Sequence, residues 1–305
     1  MWLGSTHLIA KVFCHPDPRR RLISAEREHN ALQLLHASAL APCPRGLRRG
    51  PQPVVMYDYV PGSMWDRQPP TPFQLYQLAG AWLRLASVPT AGLWLAQGQE
   101  QSWSAIESLL RSRVQAYADW VVSADPQRAE TATLCLHATD RMFSAIKPLA
   151  DLPVVRQLGH WDPRFANVIQ RPDGHITLVD WEVSGLLDPA REIACLLTHP
   201  NQEDLVTPEQ WSAFLRPYLA ARSQIDPMLS LRMELWCGGF SIFRLGHLLV
   251  DGVARYRTGR LDNWRVNDMP ANLRLRRYLA RGLAWPASDF AGSLTQLAGL
   301  TFFES

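Results

Sequence analysis

Between Gly159 and Glu192 the sequence gathers polar residues whose types and spacing suit one kind of chemistry. His160-Trp161-Asp162-Pro163-Arg164-Phe165-Ala166-Asn167 has the form H-x-D-x-x-x-x-N, and Asp180 closes the apolar run Ile176 to Val179 thirteen residues later. An Asp and an Asn five positions apart on a tight loop can face one small space from two sides. An Asp ending the adjacent hairpin returns to that space. Phosphoryl transfer from ATP needs such groups: one carboxylate to orient an acceptor hydroxyl and take its proton, an amide and a second carboxylate to hold Mg²⁺ against the triphosphate. A lysine paired with a helix carboxylate would complete the set by neutralising the phosphates. Lys11 stands in an early apolar run and Glu28 follows 17 positions on.

The elements that must position these residues are legible as a coarse layout. Leu8 to Phe13 reads as a buried strand bounded by Gly4-Ser5-Thr6 and His15-Pro16-Asp17-Pro18. Ser24 to Ala37 reads as a helix, with Ser24 as its cap and Glu26 and Glu28 in its first turns. Arg19-Arg20-Arg21 before it reads as a solvated turn, and Ala41 to Pro53, rich in Pro, Gly and Arg, as loop. Val54 to Val60 is a second strand, stopped by Pro61-Gly62. Helical spacing follows over 73–86, 102–122 and 129–149. Strands are expected at 154–158, 167–170 and 176–179, the last two joined by a turn whose Asp173-Gly174 is a hairpin signal. From Glu209 onward the chain is mostly helical, with 229–257 the longest periodic stretch, where Trp236, Phe240, Phe243 and His247 read as core.

Composition narrows the function classes. A hydrophobic fraction of 47% and a charged fraction of 19% over 305 residues describe a folded chain rather than a disordered one. A net charge of +3 without a clustered basic stripe gives no footprint for nucleic acid. No apolar run is long enough to span a membrane and no leader pattern is visible, so no membrane partner is expected. Five dispersed cysteines without metal spacing read as reduced thiols of a cytoplasmic protein. Lys11 and Lys147 are the only lysines against many arginines, which suits a position at Lys11 that Arg cannot fill.

The H-x-D-x-x-x-x-N loop, the strand ending in Asp180-Trp181-Glu182 and the following Asp188-Pro189-Ala190 resemble the aminoglycoside phosphotransferase and choline kinase family. Lys11, the Arg27-Glu28 helix and the Tyr57-Asp58-Tyr59-Val60-Pro61-Gly62 hinge resemble the same family in the same order, over residues 8 to 200. The resemblance implies an α+β, protein-kinase-like fold of two lobes. A short β-containing N-lobe and hinge would occupy 1–62, and a large helical C-lobe 63–305. It implies ATP and Mg²⁺ as cofactors, and a small-molecule hydroxyl as acceptor of the γ-phosphoryl group. By position, Asp162 would be the base, His160 would brace the loop, and Arg164 would offset charge on the transferred group. Asn167 and Asp180 would ligate Mg²⁺, Lys11 would hold the phosphates with Glu28 behind it, and backbone groups of Asp58, Tyr59 and Val60 would bind adenine. Glu182, Glu192, Glu234 and Asp251 are the carboxylates on offer to a cationic acceptor.

Two departures matter. The family's N-lobe opens with a hairpin whose glycine-rich loop covers the triphosphate, whereas here only Gly4-Ser5-Thr6 precedes the lysine strand. The expectation is a truncated N-lobe, and the rival reading is a catalytically silent kinase-like binding or scaffold protein. Trp161 also replaces the small residue the family often has between His and Asp. A hydrolase using His160 and Asp162 with a metal is a further rival, but it lacks a third ligand nearby.

Overall fold

The computed structural model describes residues 7–66, 68–90, 103–150, 154–261, 264–266, 269–284, 288–300 and 302–303. Gly4-Ser5-Thr6, and with them the question of a phosphate-covering loop, lie outside the described residues, as does Ser102. Two compact units are present: one comprises 1–100, 155–192 and 201–227, the other 101–154, 193–200 and 228–305. The whole is α+β, small antiparallel sheets accompanying many helices.

In the first unit, β1 (Leu8–Val12), α1 (Pro18–Leu35), β2 (Pro44–Arg48) and β3 (Val54–Asp58) form a three-stranded antiparallel sheet of order β1-β3-β2 with one helix. The segment expected to be loop after α1 contains β2. Its register breaks at Arg45, where a bulge lets a Pro- and Gly-bearing segment pair along a sheet edge. Arg45 is thereby aimed at Asp58, which it grips with two bonds of 2.6 Å. β1 also differs from expectation: it is an exposed edge strand, Leu8 being 55% and Val12 48% accessible. Asp17, not Ser24, caps α1, accepting from Arg19 N–H, with Pro18 at the first helical position. Arg19 to Arg21 therefore lie in the first turn of a helix rather than in a turn of their own.

β4 (Ser63–Met64) pairs with β6 (Val168–Gln170), which forms a hairpin with β7 (Ile176–Leu178). Gly174 N–H donates to Arg171 at 3.0 Å and Gly174 has a φ of 83°, as the Asp-Gly signal requires. Gly62 carries a similar constraint, because a Cβ there would stand 2.3 Å from the Gln170 carbonyl oxygen. β5 (Gln157–Gly159), set later than expected, pairs with β8 (Gly185–Leu187). α2 (Pro72–Ala86) starts with a reciprocal Thr71–Gln74 capping box and packs on α6 (Ser212–Arg222). An aromatic chain runs from Trp65 through Phe165 and Trp211 to Phe214, which also meets Trp82 edge-on and stacks on Tyr218.

The second unit is helical. α3 (Trp103–Ala124), α4 (Ala129–Ala150), α7 (Leu229–Arg257), α8 (Ala271–Leu283) and α9 (Ser288–Ala298) pack on one another, with a two-stranded ribbon of β9 (Arg265–Val266) and β10 (Met269–Pro270) beside α8. α5 (Pro189–Thr198) begins in the first unit and ends in this one. Of the aromatic stripe expected to be core on α7, Trp236 is buried, Phe240 and Phe243 are half-buried and His247 is exposed. Its helical spacing carries it round to the helix's outer face. No helix among the described residues is long and apolar enough to cross a membrane.

Candidate active site

The first unit brings Lys11, Glu28, Asp162, Asn167 and Asp180 together by a few local devices. β1 carries Lys11 opposite Val55 on β3, and α1 packs against β2 and β3. Lys11 Nζ reaches Glu28 Oε2 at 2.9 Å, contacts Asp180 Oδ1 directly, and lies 3.1 Å from Glu182 Oε2. Burial works against the ammonium, but Glu28 and Asp180 outweigh it and its pKa is raised. One cation cannot neutralise three carboxylates. The most buried of them, Glu28 at 1% exposure, bears the difference: burial pushes its carboxyl up to about 7, against the pull of Lys11. Asp180 loses solvation too, yet its bond to Lys11 and the nearby charges hold it below the usual range, and it stays ionised.

Asp180 ends the β6–β7 hairpin with a φ of 69°, a left-handed conformation that Asp tolerates better than most residues. The preceding Val179 N–H donates to the Asn167 carbonyl at 3.0 Å, tying the hairpin to the loop before it. β7 is anchored on its other side as well: Leu178 N–H donates to the Leu40 carbonyl and the Thr177 hydroxyl to that of Ala39.

The 160–167 loop is clamped from several directions. His160 is fully buried, and burial lowers its pKa, so its neutral ring donates from Nε2 to the Val179 carbonyl at 2.7 Å. Its ring also packs on Trp181, 4.6 Å between centroids. Asn167 Nδ2 donates to the Asp162 carbonyl at 3.0 Å and to its carboxylate at 3.3 Å. With the amide nitrogen so engaged, Oδ1 is left for another ligand. Arg164 Nε lies 3.0 Å from Asp162 Oδ2, and its Nη2 lies 3.5 Å from Asp180 Oδ2, so the guanidinium links the two carboxylates.

Sequence reasoning missed one support and misread another. Gln202, fully buried, accepts the Phe165 N–H at 2.9 Å and donates to the Pro163 carbonyl. Nothing in its local sequence marks a lone Gln after α5 as a loop brace. Glu192, considered for a cationic acceptor, is 2% exposed and accepts the N–H groups of His160 and Trp161, so it faces the loop's backbone instead. Gly159 is small for the same reason: a Cβ there would stand 2.5 Å from Glu192 Oε2. Of the hinge N–H groups, Asp58 donates to Cys43 and Tyr59 to His7, while Val60 has no partner among the described residues. The Asp58 carboxylate is held by Arg45.

A lysine tethered to a helix carboxylate and a loop Asp bonded to an Asn beside a hairpin Asp are groups of the types that phosphoryl transfer uses. The sequence model of the phosphotransferase enzyme family matches residues 2–232. The chain belongs to that family. Among solved structures, spectinomycin phosphotransferase APH(9)-Ia in its AMP-bound complex is 13% identical, with a TM-score of 0.60 over 89% of this chain and 88% of that one. Choline kinase LicA from Streptococcus pneumoniae is 18% identical, with a TM-score of 0.53 over 92% and 88%. Plasmodium vivax ethanolamine kinase is 14% identical, with a TM-score of 0.55 over 90% of this chain and 75% of that one. At these identities the likeness speaks to the fold, which is that of the protein-kinase-like phosphotransferases. No curated protein matches the sequence.

Within the family's chemistry, the donors present suit Mg²⁺. Among the described residues there is no cluster of three or more His, Cys, Asp or Glu that could hold a metal ion. An ion bound by one amide oxygen, one carboxylate and substrate phosphates needs no such cluster, and Mg²⁺ takes hard oxygen donors in that sparse way. Asn167 Oδ1 and the ionised Asp180 are oxygen donors of this kind.

Proposed function

We propose that this family member transfers the γ-phosphoryl group of ATP, with Mg²⁺, to a hydroxyl of a small molecule. The observation that carries the reading is the convergence of Lys11, Glu28 and Asp180, the first and last 169 positions apart, beside the Asp162–Asn167 pair.

Asp162 orients the acceptor hydroxyl and takes its proton as the new O–P bond forms and the bond from the γ-phosphorus to the bridging oxygen, which leaves with ADP, breaks. Lys11, directed by Glu28, binds the α- and β-phosphates, for which it exchanges its contact with Asp180. Asn167 and Asp180 would hold Mg²⁺, which when bound supplies charge neutralisation on the phosphates. Arg164 lies near enough to both carboxylates to offset charge gathering on the transferred group. His160 keeps the loop in register through Val179, and the Val60 N–H is the hinge donor left for adenine. Relatives crystallised with AMP and with ADP support the nucleotide part of this reading.

The test is Asp162→Asn in the full chain, assayed for ATP-dependent phosphorylation across a panel of hydroxyl-bearing small molecules. Transfer to an acceptor that the wild type uses should fall at least about a hundredfold, the scale of a positioned base. Retained transfer would refute the assignment.

A further inference from the structure

Two sets of connections leave Asp162. Through side chains, Asn167 and Arg164 bond its carboxylate, and Arg164 continues to Asp180 and so to Lys11. Along the chain, the neighbouring Trp161 connects it to the first turn of α5. That turn is fixed by Asp188, whose carboxylate accepts the Ala190 N–H at 2.9 Å. From it the Arg191 guanidinium reaches to 4.1 Å from the centre of the Trp161 ring.

Trp161 has a φ of 70°, where a bulky side chain crowds its own backbone and glycine would not. Strain of this kind collects at ligand-binding and catalytic positions. Trp161 is only half-buried, so core packing does not account for placing so large a residue there. What its ring does is carry a cation. A guanidinium meets an aromatic ring through its flat face, while its N–H groups point outward in its plane, so stacking fixes the charge without using them. The carboxylates argue the same way. Of those expected to receive a cationic acceptor, Glu182 and Glu192 lie in this unit, and both are engaged. Glu182 stands 3.1 Å from Lys11, and Glu192 bonds the loop's backbone.

We infer that Arg191, held on the Trp161 ring, is a specificity-determining residue for the acceptor, and that the acceptor carries an anionic carboxylate or phosphate close to the hydroxyl that Asp162 orients. The fate of that hydroxyl rests on the phosphotransferase reading, whereas recognition of an anion beside Trp161 does not.

The experiment presents the full chain with two charge-matched sets of hydroxyl compounds: gluconate, glucose and glucosamine, and glycerophosphate, glycerol and serinol. Binding is read by calorimetry in the presence of Mg·ADP, and transfer as ADP released from ATP above the rate with water alone. The anionic member of at least one set should bind at least about tenfold tighter than its neutral and cationic counterparts, the scale of one charge-assisted contact, and show the higher kcat/KM. Arg191→Leu should remove that preference by raising KM, with kcat within about threefold. Arg191→Lys, which keeps the charge without the planar fork, should retain part of it, and Arg191→Glu should turn it toward the cationic member. Trp161→Gly, whose glycine takes this φ without strain, should lose the preference as Arg191→Leu does, and reads the same point if Arg191→Leu fails to fold. Absence of an anionic preference in both sets, or a preference that Arg191→Leu and Trp161→Gly leave intact, would overturn the inference, and transfer to the neutral or cationic members would then keep the phosphotransferase reading. An anionic preference in binding that Arg191→Leu removes, in a wild type that transfers to no acceptor, would support the recognition while counting against that reading.

Discussion

Lys11 Nζ stands 2.9 Å from Glu28 Oε2, and the same ammonium contacts Asp180, so one side chain ties the first strand and first helix to the end of the β6–β7 hairpin. Replacing Lys11 by Met should weaken Mg·ATP binding by at least about tenfold, since the phosphates lose their cation. The fold should survive at about 1–3 kcal/mol lower stability, less than the usual cost of breaking a buried pair. The reason is that Glu28, its carboxyl already at about 7, can take up a proton when its partner leaves. Calorimetric titration and urea unfolding at pH 6 would check both parts.

Glu192 makes a prediction about pH. Burial pushes its carboxyl from 4.5 to about 7, against the two N–H bonds it accepts. The folded chain keeps a proton that the unfolded chain releases between those values. Its contribution is thus fully present below about pH 4.5 and is lost as pH rises through about 7. Glu192→Gln, which cannot ionise, should flatten the fall in stability across that window by on the order of 1–3 kcal/mol, measured by denaturant unfolding at several pH values.

Gln202→Leu should leave the Phe165 N–H buried without an acceptor and cost about 1–3 kcal/mol. Since the bond anchors the loop between Asp162 and Asn167, phosphoryl transfer should fall more than nucleotide affinity does. Parallel kinetics and calorimetry would separate the two effects.

Gly62→Ala should cost at least about 2 kcal/mol, as overpacking against backbone does. Its Cβ would meet the Gln170 carbonyl carbon and oxygen within 2.9 Å, and a φ of 149° adds strain for any L side chain. The cost should appear in thermal unfolding, with activity preserved below the transition.

How much of this was legible in the sequence depends on the range of the interactions. The His160-to-Asn167 loop, the Asp180 strand end and the Asp173-Gly174 turn are local patterns, and each lies in the structure where its spacing predicted. α7 was bounded to the residue, because a long periodic stretch without proline has few alternatives, even with Gly238, Gly239, Gly246 and Gly252 inside it. β2 was missed because its Pro, Gly and Arg residues carry loop propensity, and only pairing with β3 makes it a strand. The exposure of β1 on both faces was missed because an apolar run does not reveal whether anything packs over the strand. Asp17 outranked Ser24 as helix cap through Pro18, a signal that was present but read as a stop. Glu192 and Gln202 were misread or missed since their bonds reach 31 to 39 positions back, to backbone groups that no side-chain motif announces.

The most direct measurement is calorimetry of Mg·ATP with the wild type, Asp180→Ala and Asp162→Asn. The account predicts Mg²⁺-dependent binding to the wild type, its loss in Asp180→Ala, and binding within about threefold of wild type in Asp162→Asn, whose phosphoryl transfer is nonetheless abolished. Mg·ATP binding that survives Asp180→Ala undiminished, or transfer that survives Asp162→Asn, would contradict it.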